Sequence, residues 1–128
     1  MQALLDTHAL LWWLTDDPAL PERPRLLIAE KRNSIFVSSA TAWEIAIKVR
    51  TGKLPQAAEL ALDFAGYIAR QGFEMLNISA EHAIRAGLLG GDHKDPFDRM
   101  LIAQSQAENL ALVTNELLFE RYGVWRIW

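Results

Sequence analysis

The stretch Ala3-Leu4-Leu5-Asp6-Thr7-His8-Ala9-Leu10-Leu11-Trp12-Trp13-Leu14 places a short apolar run, one carboxylate and then an apolar segment of helical length in direct succession. Three residues are too few for a helix, so the pattern predicts a strand over 3–5 and a helix over 7–14. The same pairing recurs along the chain. Short apolar runs predict strands over 35–37, 75–78, 110–113 and 124–127. Between them, residues 22–32, 39–50, 58–71, 80–89 and 97–108 carry apolar side chains at three- and four-residue spacing and predict helices. Leu62, Ala65, Ile68 and Ala69 form one such stripe. Strands alternating with helices give an α/β class: a three-layer α/β/α sandwich around a central, mainly parallel sheet.

The chain has 128 residues and no linker, repeat or low-complexity tract, which makes a single domain over 1–128 the expected organisation. A chain of this length buries about two thirds of the surface its unfolded form exposes, enough for a core without covalent staples. The absence of cysteine excludes disulfide scaffolds, thiol nucleophiles and Cys-ligated zinc, and is compatible with a reducing cytoplasm. No basic segment precedes the first apolar run, and residues 9–14 are too few to span a bilayer; a signal peptide and a membrane segment are not expected. Thirteen basic and sixteen acidic residues give 13 − 16 = −3, so there is no global basic footprint for a polyanion.

Acidic residues cluster just past the predicted strands. Asp6 ends the first, Glu44 lies early in the helix after the second, Asp95 and Asp98 open the helix over 97–108, and Glu116 follows the strand over 110–113. In an open α/β sheet, residues beyond the carboxyl ends of neighbouring strands face a common crevice. Two like charges about 5 Å apart at an effective dielectric near 20 repel by roughly 3 kcal/mol, so converging carboxylates call for a cation. An all-oxygen set suits Mg2+ or Mn2+. Such a site holds a phosphodiester and activates water for in-line attack.

Each acid also has an ordinary structural reading. Asp6 before Thr7 suits an N-cap. Thr41-Ala42-Trp43-Glu44 matches a capping box. Asp95-Pro96-Phe97-Asp98 is a strong helix start, with Asp95 as cap and Asp98 favoured by the dipole. Glu116 beside Asn115 fits a solvated turn.

The segments Leu4-Leu5-Asp6-Thr7-His8, Ser38-Ser39-Ala40-Thr41-Ala42-Trp43-Glu44-Ile45, His93-Lys94-Asp95-Pro96-Phe97-Asp98-Arg99-Met100-Leu101 and Leu112-Val113-Thr114-Asn115-Glu116, in that order, resemble the PIN-domain family. The similarity is greatest to VapC-type ribonuclease toxins of toxin-antitoxin pairs, and extends over nearly the whole chain. It implies an α/β/α fold with an acidic pocket for Mg2+ or Mn2+, in which Asp6, Glu44 and Asp98 match the core acidic positions. Asp95 matches an extra acid whose role is ligand or helix cap. Glu116 stands where many members carry Asp and is one methylene longer, which shifts its reach toward a metal. The resemblance further implies an RNA substrate, homodimerisation, and a cognate antitoxin that lays an apolar helix or extended tail along the toxin.

Lys48, Arg50, Lys53, His93, Lys94 and Arg99 flank these acids, and Arg99 and Lys48 are the foremost candidates for contact with RNA phosphates. Lys48 also stands four residues beyond Glu44, in register for an intrahelical ion pair. His8 and His93 lie two residues from Asp6 and Asp95, and neither is assigned to catalysis. Trp12 and Trp13 supply either core or interface surface. The expected function is a cytoplasmic, metal-dependent endoribonuclease of the toxin type. A catalytically weak module that binds RNA or an antitoxin is the alternative. A phosphoacceptor built on Asp6 ranks last, since no Gly-rich phosphate cradle accompanies it.

Overall fold

A computed structural model describes residues 1–128. The chain runs β1 (Gln2–Leu5), α1 (Thr7–Leu14), α2 (Glu22–Ala29), β2 (Ser34–Ser38), α3 (Ser39–Arg50), α4 (Ala58–Leu62), α5 (Phe64–Arg70), β3 (Glu74–Leu76), α6 (Ala80–Leu88), α7 (Pro96–Glu108), β4 (Ala111–Val113) and β5 (Arg126–Ile127). Short 3-10 turns cover Pro55–Ala57 and Leu117–Tyr122.

The five strands form one sheet in the order β3-β2-β1-β4-β5, and every adjacent pair is parallel. Leu5 stands opposite both Val37 and Val113. Side chains alternate across the sheet as the pleat requires. Ala3, Leu5, Ile35, Val37, Ala111 and Val113 face one core with Ala9, Leu10, Ile28 and Ile68 from α1, α2 and α5. Leu4 and Leu112 face the other, with Leu101 and Ile102 of α7 and Phe119. Burial on both faces is why the strands read as unbroken apolar runs. Leu4 and Leu5 are fully buried, and truncating either to alanine would cost about 2–5 kcal/mol. The predicted α/β/α sandwich is therefore the observed fold.

From the central β1 the chain builds outward through β2 and β3 on one side, then through β4 and β5 on the other. The order reverses at β1 and β4, and the crevice beyond their carboxyl ends is where such sheets place their sites.

Several boundaries differ from the sequence reading. The helix predicted over 22–32 stops at Ala29, because Glu30 turns extended (φ −71, ψ 113) and its carboxylate accepts the Arg32 N–H. The helix predicted over 58–71 is two helices broken at Asp63 (φ −142, ψ 50), whose carbonyl accepts the Tyr67 N–H and so restarts the ladder. The strand expected over 75–78 ends at Leu76; further on, the Ile78 N–H donates to the Ser39 hydroxyl instead. The strand expected over 124–127 keeps only Arg126 and Ile127. The capping box at Thr41 and Glu44 is absent: α3 begins earlier, capped by the Ser38 hydroxyl, which accepts the Ala40 N–H. No helix is long and apolar enough to cross a membrane.

Candidate active site

Asp6 is the residue at which β1 becomes α1. Its N–H donates to the Val113 carbonyl at 3.1 Å, extending the β1–β4 ladder by one bond. Its Oδ1 accepts the Ala9 N–H at 2.7 Å, so the side chain caps α1 while sitting at the switch point. The residue is 5% exposed. Burial pushes its carboxyl above the usual range, against the pull of the Thr114 hydroxyl, the Ala9 N–H and the charge of His8, and Glu116 adds to the rise.

Glu44 is equally enclosed and carries two fixed partners. The Thr7 hydroxyl donates to Oε1 at 2.6 Å, joining α1 to α3, and Lys48 Nζ lies 2.7 Å from Oε2. The expected intrahelical pair with Lys48 is thus formed, with Glu44 buried.

Asp95 and Asp98 share the first turn of α7. Asp95 Oδ1 accepts the N–H groups of Phe97 and Asp98 at 2.8 and 3.1 Å, so this acid is the helix cap and Pro96 opens the helix. Asp98 faces the crevice. Burial, followed by the charges of Asp95, Glu116, Glu44 and Asp6 in that order, pushes its carboxyl up to about 8. The charges of the other four acids singled out in the sequence are thus all felt at Asp98.

Glu116 reaches this centre from beyond β4. Its N–H donates to the Thr114 hydroxyl at 3.1 Å, and its side chain is 44% exposed.

His93 joins the acids although sequence reasoning passed over it. Its Nε2 lies 3.2 Å from Asp98 Oδ2 and 3.7 Å from Glu116 Oε2, and the ring packs on Phe119 at 5.5 Å between centroids. Nε2 is buried without a hydrogen-bond partner of good geometry. The Asp95 N–H donates toward Nδ1 at 3.4 Å, so Nε2 is the ring nitrogen turned to the acids. The imidazole thus faces the acids, and His93, Asp98 and Glu116 each bring one potential ligand atom within 4.8 Å of the others, a group that could hold a metal ion. The spacing His93-x-Asp95-x-x-Asp98 at the opening of a helix was the available signal. His8, by contrast, is exposed and packs on Trp12 at 5.5 Å.

Arg99, expected at substrate phosphates, is committed elsewhere. Its guanidinium donates to the carbonyls of Ala86, Leu89, Gly90 and His93, with 3.0 Å to His93. It fastens the end of α6 and the following loop onto α7. Trp12 and Trp13 are half-buried, Trp12 against Trp128 and Trp13 against Phe73.

A switch-point crevice lined by acids from four chain segments has a counterpart among known proteins, for the PIN domain family model matches residues 3–124. The chain belongs to the PIN-domain family. Within it, ribonuclease VapC16 of Mycobacterium tuberculosis is 40% identical over 58 residues; the match covers 45% of this chain and 41% of that protein, so it spans less than half of the relative's length. Among solved structures, VapBC2 from Rickettsia felis bound to a DNA fragment from its promoter matches with a TM-score of 0.71 and 24% identity, covering 99% of this chain and 98% of that one. VapBC-1 from nontypeable Haemophilus influenzae matches at 0.68 with 16% identity over 99% and 97% of the two chains. FitAcB from Neisseria gonorrhoeae matches at 0.67 with 18% identity over 99% and 96%. At these identities the shared property is the fold, and this PIN domain carries it over its full length.

The donor set fits a hard divalent cation. The candidate ligands are carboxylate oxygens together with the His93 imidazole, which groups with Asp98 and Glu116, and the mutual repulsion felt at Asp98 is what a bound cation relieves.

Proposed function

We propose that this PIN domain is a divalent-metal-dependent endoribonuclease and the toxin of a toxin-antitoxin pair. The observation that supports this reading is Asp98: an acid held near pKa 8 by burial and by four other acids marks a site built for a positive charge. Asp6 and Asp98 would hold Mg2+ or Mn2+, with Glu44 and Glu116 beside them. Bound there, the metal supplies an activated water and neutralises the charge that develops on a phosphodiester.

The protein's own groups do the rest. Thr7 and Lys48 hold the Glu44 carboxylate in one orientation. Asp95 fixes the backbone from which Asp98 projects. His93 places its Nε2 beside Asp98 and Glu116 and packs its ring on Phe119, bounding the site on that side. Lys48 stands at the rim, where its cation can meet a phosphate as well as Glu44.

The names borne by VapC16 and by the VapBC and FitAcB complexes support an RNA substrate and a protein antitoxin as partners. A homodimer and a cytoplasmic location complete the proposal. Incubation of the purified protein with total cellular RNA in magnesium, manganese or EDTA tests it, with Asp6→Asn as the control against contaminating nuclease. Discrete fragments that need both metal and Asp6 are expected. RNA binding without metal-dependent products would replace this reading with that of an inactive binding module.

A further inference from the structure

The rim of the crevice carries an exposed aromatic pair. Trp43 of α3 and Phe97 of α7 meet edge to face, with ring centroids 5.1 Å apart and planes at 78°. Each immediately precedes an acid of the centre, Glu44 and Asp98 respectively. Successive helical residues are rotated by about 100°, so when Glu44 points into the crevice its neighbour stands at the edge. Trp43 is 59% exposed, whereas Ala40 and Ile45 of the same helix are buried. A large indole left in water gains nothing for the fold, and Phe97, half-buried, holds it in one orientation.

The surrounding charges indicate what the indole is for. Net charge is −3, Arg99 is spent on backbone carbonyls, and Lys48 is paired with Glu44. A polyanion approaching this acidic crevice therefore meets few free cations at the acids themselves, with Lys94 exposed beside Asp95, and a contact that does not depend on charge adds to its affinity. Stacking of a nucleobase on an aromatic face is such a contact, and it is open only to unpaired bases. We propose that Trp43, braced by Phe97, is the stacking platform for an unpaired nucleobase next to the phosphate presented to the Asp6–Asp98 centre. This rests on the ribonuclease reading and narrows it to single-stranded or looped RNA.

The test uses Asp98→Asn protein, which blocks cleavage, with and without Trp43→Ala or Trp43→Phe. Binding is read by fluorescence anisotropy on a labelled, randomised 12-nucleotide single-stranded RNA and on the same ribose-phosphate backbone made abasic throughout. Trp43→Ala should weaken binding of the normal RNA about 5- to 100-fold, the range expected for one stacked base, and Trp43→Phe should retain most of the affinity. On the abasic backbone the difference should vanish. A melting temperature unchanged by Trp43→Ala confirms that the exposed ring is not holding the fold. Equal binding of normal RNA with and without the Trp43→Ala substitution, or a difference that persists on the abasic backbone, overturns the platform and leaves the ribonuclease reading standing. Absence of RNA binding by every protein overturns both.

Discussion

Asp95 both builds and burdens Asp98. Its Oδ1 accepts the Asp98 N–H at 3.1 Å, fixing the turn from which that residue projects. Its charge is also, after burial, the largest influence lifting the Asp98 carboxyl to about 8.

The two roles separate under mutation. Asp95→Asn keeps the capping oxygen and removes the charge, so melting should hardly move while the Asp98 carboxyl, followed by NMR, titrates lower. Asp95→Ala removes the cap and should cost about 1 kcal/mol of stability. If alanine and asparagine unfold at the same temperature, Asp95 is not serving as a cap.

Asp98→Asn should abolish cleavage, a loss of about a hundredfold or more, yet stabilise the metal-free fold at about pH 9, where the wild-type carboxyl is mostly ionised among four other acids. Thermal melts with and without manganese check this. The variant should melt higher than wild type without metal and gain little from adding it. A lower metal-free melting temperature for the variant would contradict the crowding of charge.

The pH dependence follows from the sign of the same shift. With Asp98 raised from 3.8 to about 8, the folded chain holds a proton that the unfolded chain has already released. Stability of the metal-free protein should therefore fall between about pH 4 and pH 8, by at most about 1.4 kcal/mol per unit for each such group. Asp6, raised by burial, acts in the same direction. A cation must displace that proton, so calorimetric titration with manganese near pH 7 should show proton release, read as a heat that varies with the buffer.

Arg99→Ala should destabilise the protein by about 1–3 kcal/mol, because it unties several carbonyls of the 86–93 segment from a charged donor. It should leave the salt dependence of RNA binding unchanged. A shallower dependence of log affinity on log salt would restore Arg99 as a phosphate contact.

His93→Ala separates the two possible donor sets of the His93, Asp98 and Glu116 group: with the carboxylates as ligands, manganese affinity should stay within about threefold of wild type. Loss of its packing on Phe119 should lower the melting temperature. A tenfold loss of metal affinity with the fold intact would make the imidazole a ligand.

What could be read in the sequence was what local pattern controls. Ala3 to Leu5 is an apolar run because both faces of β1 are buried, and Asp6 follows it because a strand leading into a helix favours a cap there. The break at Asp63 was invisible, since the apolar stripe continues through Ile68 on the next helix. The backbone contacts of Arg99 were hidden for a different reason. A charged side chain beside two acids looks available, and only the path of the 89–95 loop reveals the carbonyls that occupy it. The meeting of Trp43 with Phe97 likewise depends on how α3 crosses α7, which no local spacing encodes.

The central position of β1 also sets when the site comes into being. Ala3 pairs with Ala111 across the sheet, and the acids that complete the crevice lie at 98 and 116. At about 5–20 residues per second, a ribosome exposes Asp6 roughly 5–20 s before Glu116 leaves the peptidyl-transferase centre. During that interval the amino-terminal half has no fourth strand to close against, and Asp6 has Glu44 but neither Asp98 nor Glu116 beside it. On the ribonuclease reading, a nascent chain still tethered to its own messenger is harmless to it until β4 has paired with β1 and Glu116 has emerged.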